Sequence, residues 1–173
     1  MSARAALALL AVGSALCACQ PDFNVPVAGP KVDEPYFRCH VQPVLTKNCS
    51  MFACHGADGT NGTGARYFQL YARSRLRPAA LPEAMRNSTF TQAEYAANFA
   101  AAADMINLDS PDDSLLLRKP LDQSAGGYFH RGADLYGQGN VFLSRDDPDY
   151  VVLAAWVHGT TEVPQCIEPG SNL

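Results

Sequence analysis

The chain has 173 residues, enough for one domain, and 47% of them are hydrophobic, as in an ordinary globular core. Its formal net charge of −4 excludes a chain-wide basic footprint for nucleic acid. No catalytic triad, phosphate-binding loop or paired-carboxylate site can be read in it, so no enzymatic activity is expected.

Residues 1–18 read as an export signal. Arg4 supplies a short positive start, and Ala5 to Leu16 form an apolar run too short to span a bilayer. The segment "LCAC", residues 16–19, resembles a bacterial lipobox, with Leu16 three positions before the acceptor, small Ala18 just before it and Cys19 to be lipidated. Lipidation at Cys17 fits less well, because bulky Leu16 would then sit at the cleavage point. The alternative is a soluble secreted protein cut nearby. Gln20, rather than Asp, follows Cys19 and points to the outer membrane. No later segment is long and apolar enough to span a membrane, so attachment would be by lipid alone, facing the periplasm.

Residues 19–35 are expected to be a flexible tether, because residues 20–35 hold four prolines and no periodicity. The folded domain is expected over residues 36–168, with a short tail at 169–173. In "YFRCHVQPVLTKNC", Phe37, Val41, Val44 and Leu45 share one helical face, and Pro43 should kink the helix or occupy its first turn. Residues 56–64 form a glycine-rich loop. Arginines 66, 73, 75, 77 and 86 fall in a mixed stretch that reads as a solvated loop with a short helix, a patch for an acidic partner being the lesser alternative. Thr91 and Glu94 then make a capping-box pattern, followed by Tyr95, Phe99, Ala102 and Ile106 at helical spacing. Ser110, Pro111 and Asp113 signal another helix start, and Pro120 ends it. A second glycine-rich loop carries His130. The last helix has Asp147 as its cap, Pro148 first and Gly159 as its stop, with Tyr150, Leu153, Ala154 and Val157 on its apolar face. Strand-like alternation is weak throughout, so the fold is expected to be mostly α with long loops.

The stretch "CSMFACHG", residues 49–56, carries the densest chemistry. Setting Cys17 and Cys19 aside, Cys39, Cys49, Cys54 and Cys166 remain, and an exported chain meets oxidising conditions. Three readings fit. In the first, thioethers from Cys49 and Cys54 hold one covalent haem c, and His55 ligates its iron. The spacer Ser50 to Ala53 then needs a bulged turn, with Met51 and Phe52 able to pack on the ring edge. In the second, the cysteines form a disulfide framework and His55 is an ordinary loop histidine. In the third, Cys39, Cys49, Cys54 and His55 bind a structural zinc ion, against which oxidising conditions argue.

Four stretches together resemble a family of exported bacterial c-type cytochrome domains, of the planctomycete and myxobacterial type and similar to class I cytochrome c. They are "YFRCHVQPVLTKNCSMFACHG", "SPDDSLLLRKPL", "GGYFHRGADLY" and "DDPDYVVLAAWVHG", and they lie between residues 36 and 159. The departure is the spacer, since typical members have Cys-x-x-Cys-His. The resemblance implies a cytochrome c-like helical domain and a one-electron carrier or redox module working with redox partner proteins. A haemless, disulfide-stabilised binding or structural lipoprotein on the same fold is the alternative.

By position in that family, His130 is expected to be the distal axial ligand, with glycines 126, 127 and 132 letting the backbone approach the ring. Met105 is the alternative ligand, although a methionine on an alanine-rich helix is more often core filler. Met85, His40 and His158 are weaker candidates, and His158 suits a helix C-terminus. Because the first and last helices cross in cytochrome c folds, the resemblance also implies a Cys39–Cys166 disulfide. Trp156 is expected in the core.

Overall fold

The computed structural model describes residues 32–51, 54–56, 68–75, 77, 82–85, 87–130 and 140–161. The export signal, Cys17, Cys19, most of the tether, Phe52, Ala53, Arg66, Arg86, Gly132, Cys166 and the tail lie outside them.

The expected α-rich architecture is what the described residues show. Helices and turns account for their regular structure, and no sheet is present among them, only one isolated parallel bridge between Leu121 and Phe142. Helix α1 runs through Glu34–Tyr36, a π-helical Phe37–Val41 and Gln42–Asn48. Asp33 caps it, accepting from the Tyr36 amide at 2.6 Å. Pro43 lies beside the π turn and has no N–H to donate to the Cys39 carbonyl, which it would also crowd in a regular helix. The wider turn, closed by the Gln42 amide on the Phe37 carbonyl, accommodates it without ending the helix. Phe37, Val41, Val44 and Leu45 all face the core, as their spacing predicts.

Helix α2, Gln92–Ala103, starts with the predicted capping box: the Glu94 amide donates to Thr91 Oγ1 while the Glu94 carboxylate accepts from the Thr91 amide. Tyr95 and Ala102 are buried, and Phe99 and Ile106 pack against the core from its edge. Ile106 follows the end of the helix rather than lying within it.

The helix expected after Ser110 is split. Pro111–Asp113 forms a 3-10 turn, and α3 is only Leu115–Arg118. The break is Ser114, which is fully buried, with extended backbone at ψ 132 and its hydroxyl accepting from the Asn107 amide at 3.0 Å. Ser110 makes no side-chain cap; its hydroxyl donates to the Asp113 carboxylate instead.

Helix α4, Pro148–Val157, is capped by Asp147, which accepts from the Asp149 and Tyr150 amides. Gly159, at φ 86, takes the left-handed position that ends it. Its buried face comprises Tyr150, Leu153, Trp156 and Val157, with Ala154 only partly buried.

Helices α1 and α4 lie side by side and run in opposite directions. Trp156 Nε1, near the end of α4, donates to the Asp33 carbonyl at the start of α1. Lys47 and Asn48, at the end of α1, both reach Asp149 at the start of α4, each at 2.8 Å. Between these fastenings, Trp156 meets Phe37 and Phe99 with ring centres 5.2 and 5.8 Å away, an aromatic junction that joins α1, α2 and α4. This core leaves the end of α1, the Cys-His turn after it and the 121–130 loop as the irregular parts that carry the site.

Candidate functional site

Helix α1 delivers Cys49 at its C-terminal cap, where the Cys49 amide bonds the Leu45 carbonyl at 2.9 Å. The chain then folds back on itself. The His55 amide donates to the Cys49 carbonyl at 3.0 Å, and the Cys54 and Gly56 amides both donate to the Met51 carbonyl. The wide spacer is thus closed by backbone hydrogen bonds. Gly56 is required here by close approach: a Cβ at that position would overlap the Ser50 carbonyl and lie 3.1 Å from the Met51 oxygen. Met51 projects to the surface rather than packing inward.

Ser50, the first spacer residue, is fully buried. Its hydroxyl bonds the Thr46 carbonyl, and Arg75 Nη1 donates both to Ser50 Oγ at 2.7 Å and to the Thr46 carbonyl at 2.6 Å. The expected solvated role of the loop arginines is therefore wrong for Arg75. It is also wrong for Arg77, whose buried guanidinium pairs with Glu94 and bonds the Met85, Ser88 and Thr89 carbonyls. Local pattern cannot show either role, because each partner comes from a distant part of the chain.

Cys49 and Cys54 are free thiols. Burial above all, with Cys54 and Asp149 adding to it, pushes the Cys49 thiol up to about 12. Burial also raises Cys54, and the charge of Arg75 opposes the rise. Cys39 is held in a disulfide, so it cannot complete a zinc site with Cys49, Cys54 and His55. Its expected partner, Cys166, lies outside the described residues. Among the described residues no group of three or more His, Cys, Asp or Glu side chains could hold a bare metal ion.

His55 Nδ1 sits 2.8 Å from the Phe68 carbonyl. A carbonyl only accepts, so Nδ1 carries the proton and the Nε2 lone pair is left for a ligand. The Phe68 ring meets the imidazole edge-on at 4.6 Å and fixes its plane. Facing it across the site is His130, with ring centres 6.1 Å apart and planes within 9° of parallel. A metal bonding one nitrogen of each ring at roughly 2 Å would hold the ring centres about 6 Å apart. His130 Nδ1 is buried and has no hydrogen-bond partner. Burial lowers both imidazoles below the usual histidine range; for His55 the Phe68 bond opposes this and His130 adds to it, and for His130 the Lys119 charge adds to it. Both are therefore held in the neutral form that binds metals.

The 121–130 loop is rigidly tied. The Tyr128 amide bonds the Arg118 carbonyl at 2.7 Å, and Lys119 Nζ bonds the Phe129 carbonyl at 3.0 Å. The Leu121–Phe142 bridge anchors the base of the loop. Gly127 packs against the Leu121 carbonyl, where a Cβ would overlap it, so the loop's own fold already requires glycine there. Met105 packs against the core from its edge, and exposed Met85 bonds through its carbonyl. His158 meets Asp112 at 3.1 Å on the surface, and the His40 ring rests on Tyr36.

Phe68 and Arg75 are the site residues that sequence reasoning missed. Phe68 acts through its backbone carbonyl and ring, and Arg75 through a guanidinium that donates to Ser50 and to the Thr46 carbonyl, and neither leaves a motif. No protein-family model, curated protein or solved structure matches this chain.

Proposed function

We propose that this chain is a haem c electron-transfer protein with a cytochrome c-like domain. One haem would be held by thioethers to Cys49 and Cys54, with His55 as proximal and His130 as distal ligand. The observation that carries this reading is the pair of parallel neutral imidazoles at 6.1 Å beside two free thiols on one turn. Bound there, a haem iron supplies reversible one-electron chemistry.

The protein's own residues do the rest. Phe68 fixes the His55 tautomer and direction through its carbonyl and ring. The tied 121–130 loop holds His130 opposite. Partial burial lowers the pKa of both rings and so favours their neutral form. We propose an electron-carrying role rather than an enzymatic one, in keeping with a sequence in which no catalytic triad, phosphate-binding loop or paired-carboxylate site can be read. The partners would be other redox proteins, and nucleic acid would not be one. Following the leader and "LCAC" segment, the protein would be exported and lipidated at Cys19, anchored in the outer membrane and facing the periplasm.

Expression in a host that matures c-type cytochromes tests the reading. A pyridine haemochrome spectrum and a mass increase of one haem are expected. Their absence, with Cys49 and Cys54 joined by a disulfide, would establish the haemless lipoprotein instead.

A further inference from the structure

The wide Cys49–Cys54 spacer needs something to shape it, since four residues leave many more turn geometries open than two. Of the two described spacer residues, Met51 is exposed, whereas Ser50 is buried and bonded through its side chain. Its hydroxyl bonds the Thr46 carbonyl at 2.7 Å, the free end of helix α1. Its carbonyl lies so close to Gly56 that no side chain fits there. Arg75, brought in from a separate loop, places one nitrogen on both Ser50 Oγ and the Thr46 carbonyl. That loop is itself held in place: the Leu70 amide bonds the His55 carbonyl at 2.8 Å, and Asn98 of α2 clamps both the amide and the carbonyl of Tyr71. The guanidinium thus ties the end of α1, the start of the spacer and the 70–75 loop into one unit.

We infer that Arg75 and Ser50 are the positioning residues of this site, a clamp that fixes the start of the spacer, where the chain leaves Cys49 for the Cys-His turn, before any cofactor arrives. The inference deepens the haem reading, but the clamp itself is a property of the bare chain. Cys49, the residue before Ser50, is buried against the core, so its reaction with a solution reagent reports how often this corner of the chain opens. Hydrogen bonds to a charged group contribute roughly 1.5–3 kcal/mol, which corresponds to about ten- to a hundredfold in the opening equilibrium.

The test uses the full chain made without haem and carrying Cys54→Ser, so that no Cys49–Cys54 bridge can form. Iodoacetamide modification of Cys49 is followed by peptide mass. Adding Arg75→Ala is expected to speed modification about ten- to a hundredfold while the far-UV circular dichroism is retained. Arg75→Lys, which keeps the charge and one donor, should recover part of the protection. If Arg75→Ala loses its helical signal, Ser50→Ala decides, with an acceleration of more than twofold and up to about tenfold expected from one lost hydrogen bond. Modification within twofold of the parent in the folded variant would overturn the clamp. Because this readout needs no haem, it stands or falls separately from the pyridine haemochrome result. In the haem-maturing host, Arg75→Ala with both cysteines present should reduce the haem-loaded fraction relative to the unsubstituted chain.

Discussion

At the residue scale, the pairing of His55 with His130 connects a recognisable motif to an unremarkable loop histidine. Cys-His adjacency marks His55 in any reading of the sequence. His130 is marked only by its glycine-rich loop and by the family resemblance, and its position opposite His55 comes from the tied loop beneath it, from Tyr128 bonded to Arg118 and Phe129 bonded to Lys119. If His130 ligates the iron, replacing it with a softer ligand must change the iron's electronics. In the haem-loaded protein, His130→Met is expected to raise the reduction potential, because methionine–histidine ligation favours the reduced iron relative to two histidines. The rise should be a fraction of the roughly 0.8 V range over which axial ligands act. Spectroelectrochemical titration reads it, alongside a shifted Soret band for His130→Ala. A potential and spectrum unchanged in both variants would take His130 off the iron and leave Met105 as the next ligand to substitute.

At the element scale, Glu94 does two jobs that belong to different levels of structure. Its carboxylate closes the capping box of α2, bonding the Thr91 amide at 2.8 Å, and the same group receives the buried Arg77 guanidinium. Burial alone would raise its pKa, but the bonds from Arg77 and Thr91 outweigh that and hold it below the usual glutamate range. The sign of the linkage follows. Stability from this group is complete above the ordinary glutamate range and is lost as pH falls through the lowered folded value. Arg77→Ala, which leaves the carboxylate buried without its cation, is expected to cost about 3–5 kcal/mol at neutral pH. Urea midpoints measured from neutral to acidic pH should show Glu94→Gln with a flatter acid slope than the parent chain. An equal slope would mean that Glu94 is not the group whose protonation weakens the fold. The capping box was legible because its two residues are three apart and their chemistry is local. The Arg77 half was not, since it arrives from seventeen residues away and a lone arginine in a mixed stretch resembles a solvated one. The break at Ser114 was hidden for the same reason: Ser-Pro-Asp-Asp is a good helix start locally, and only the Asn107 amide, outside that pattern, turns Ser114 away from it.

At the scale of the whole molecule, the legible and illegible parts divide by the range of the interactions that set them. Helix faces could be read from periodicity, so Phe37, Val41, Val44 and Leu45 fall where expected. The antiparallel seating of α1 on α4 rests on Trp156 with Asp33, and on Lys47 and Asn48 with Asp149, pairs about a hundred residues apart that no window of sequence displays. The disulfide at Cys39 acts on this same seam, since Cys39 lies in the π-helical part of α1 that packs on α4. A bond from there to Cys166, a few residues past α4, would close nearly the whole folded domain into one loop. It would stabilise the fold mainly by restricting the unfolded chain, by about 2–4 kcal/mol. Non-reducing peptide mapping is expected to recover a Cys39–Cys166 cross-linked peptide, and Cys39→Ser should lower the unfolding free energy from urea titration by that amount, and the midpoint with it, without altering the near-ultraviolet signal of Trp156. The two measurements separate the possibilities. A different partner in the mapped peptide would move the crosslink off the α1–α4 seam. The expected peptide with an unchanged midpoint would mean that the Trp156 junction and the Asp149 contacts already hold the two helices together without it.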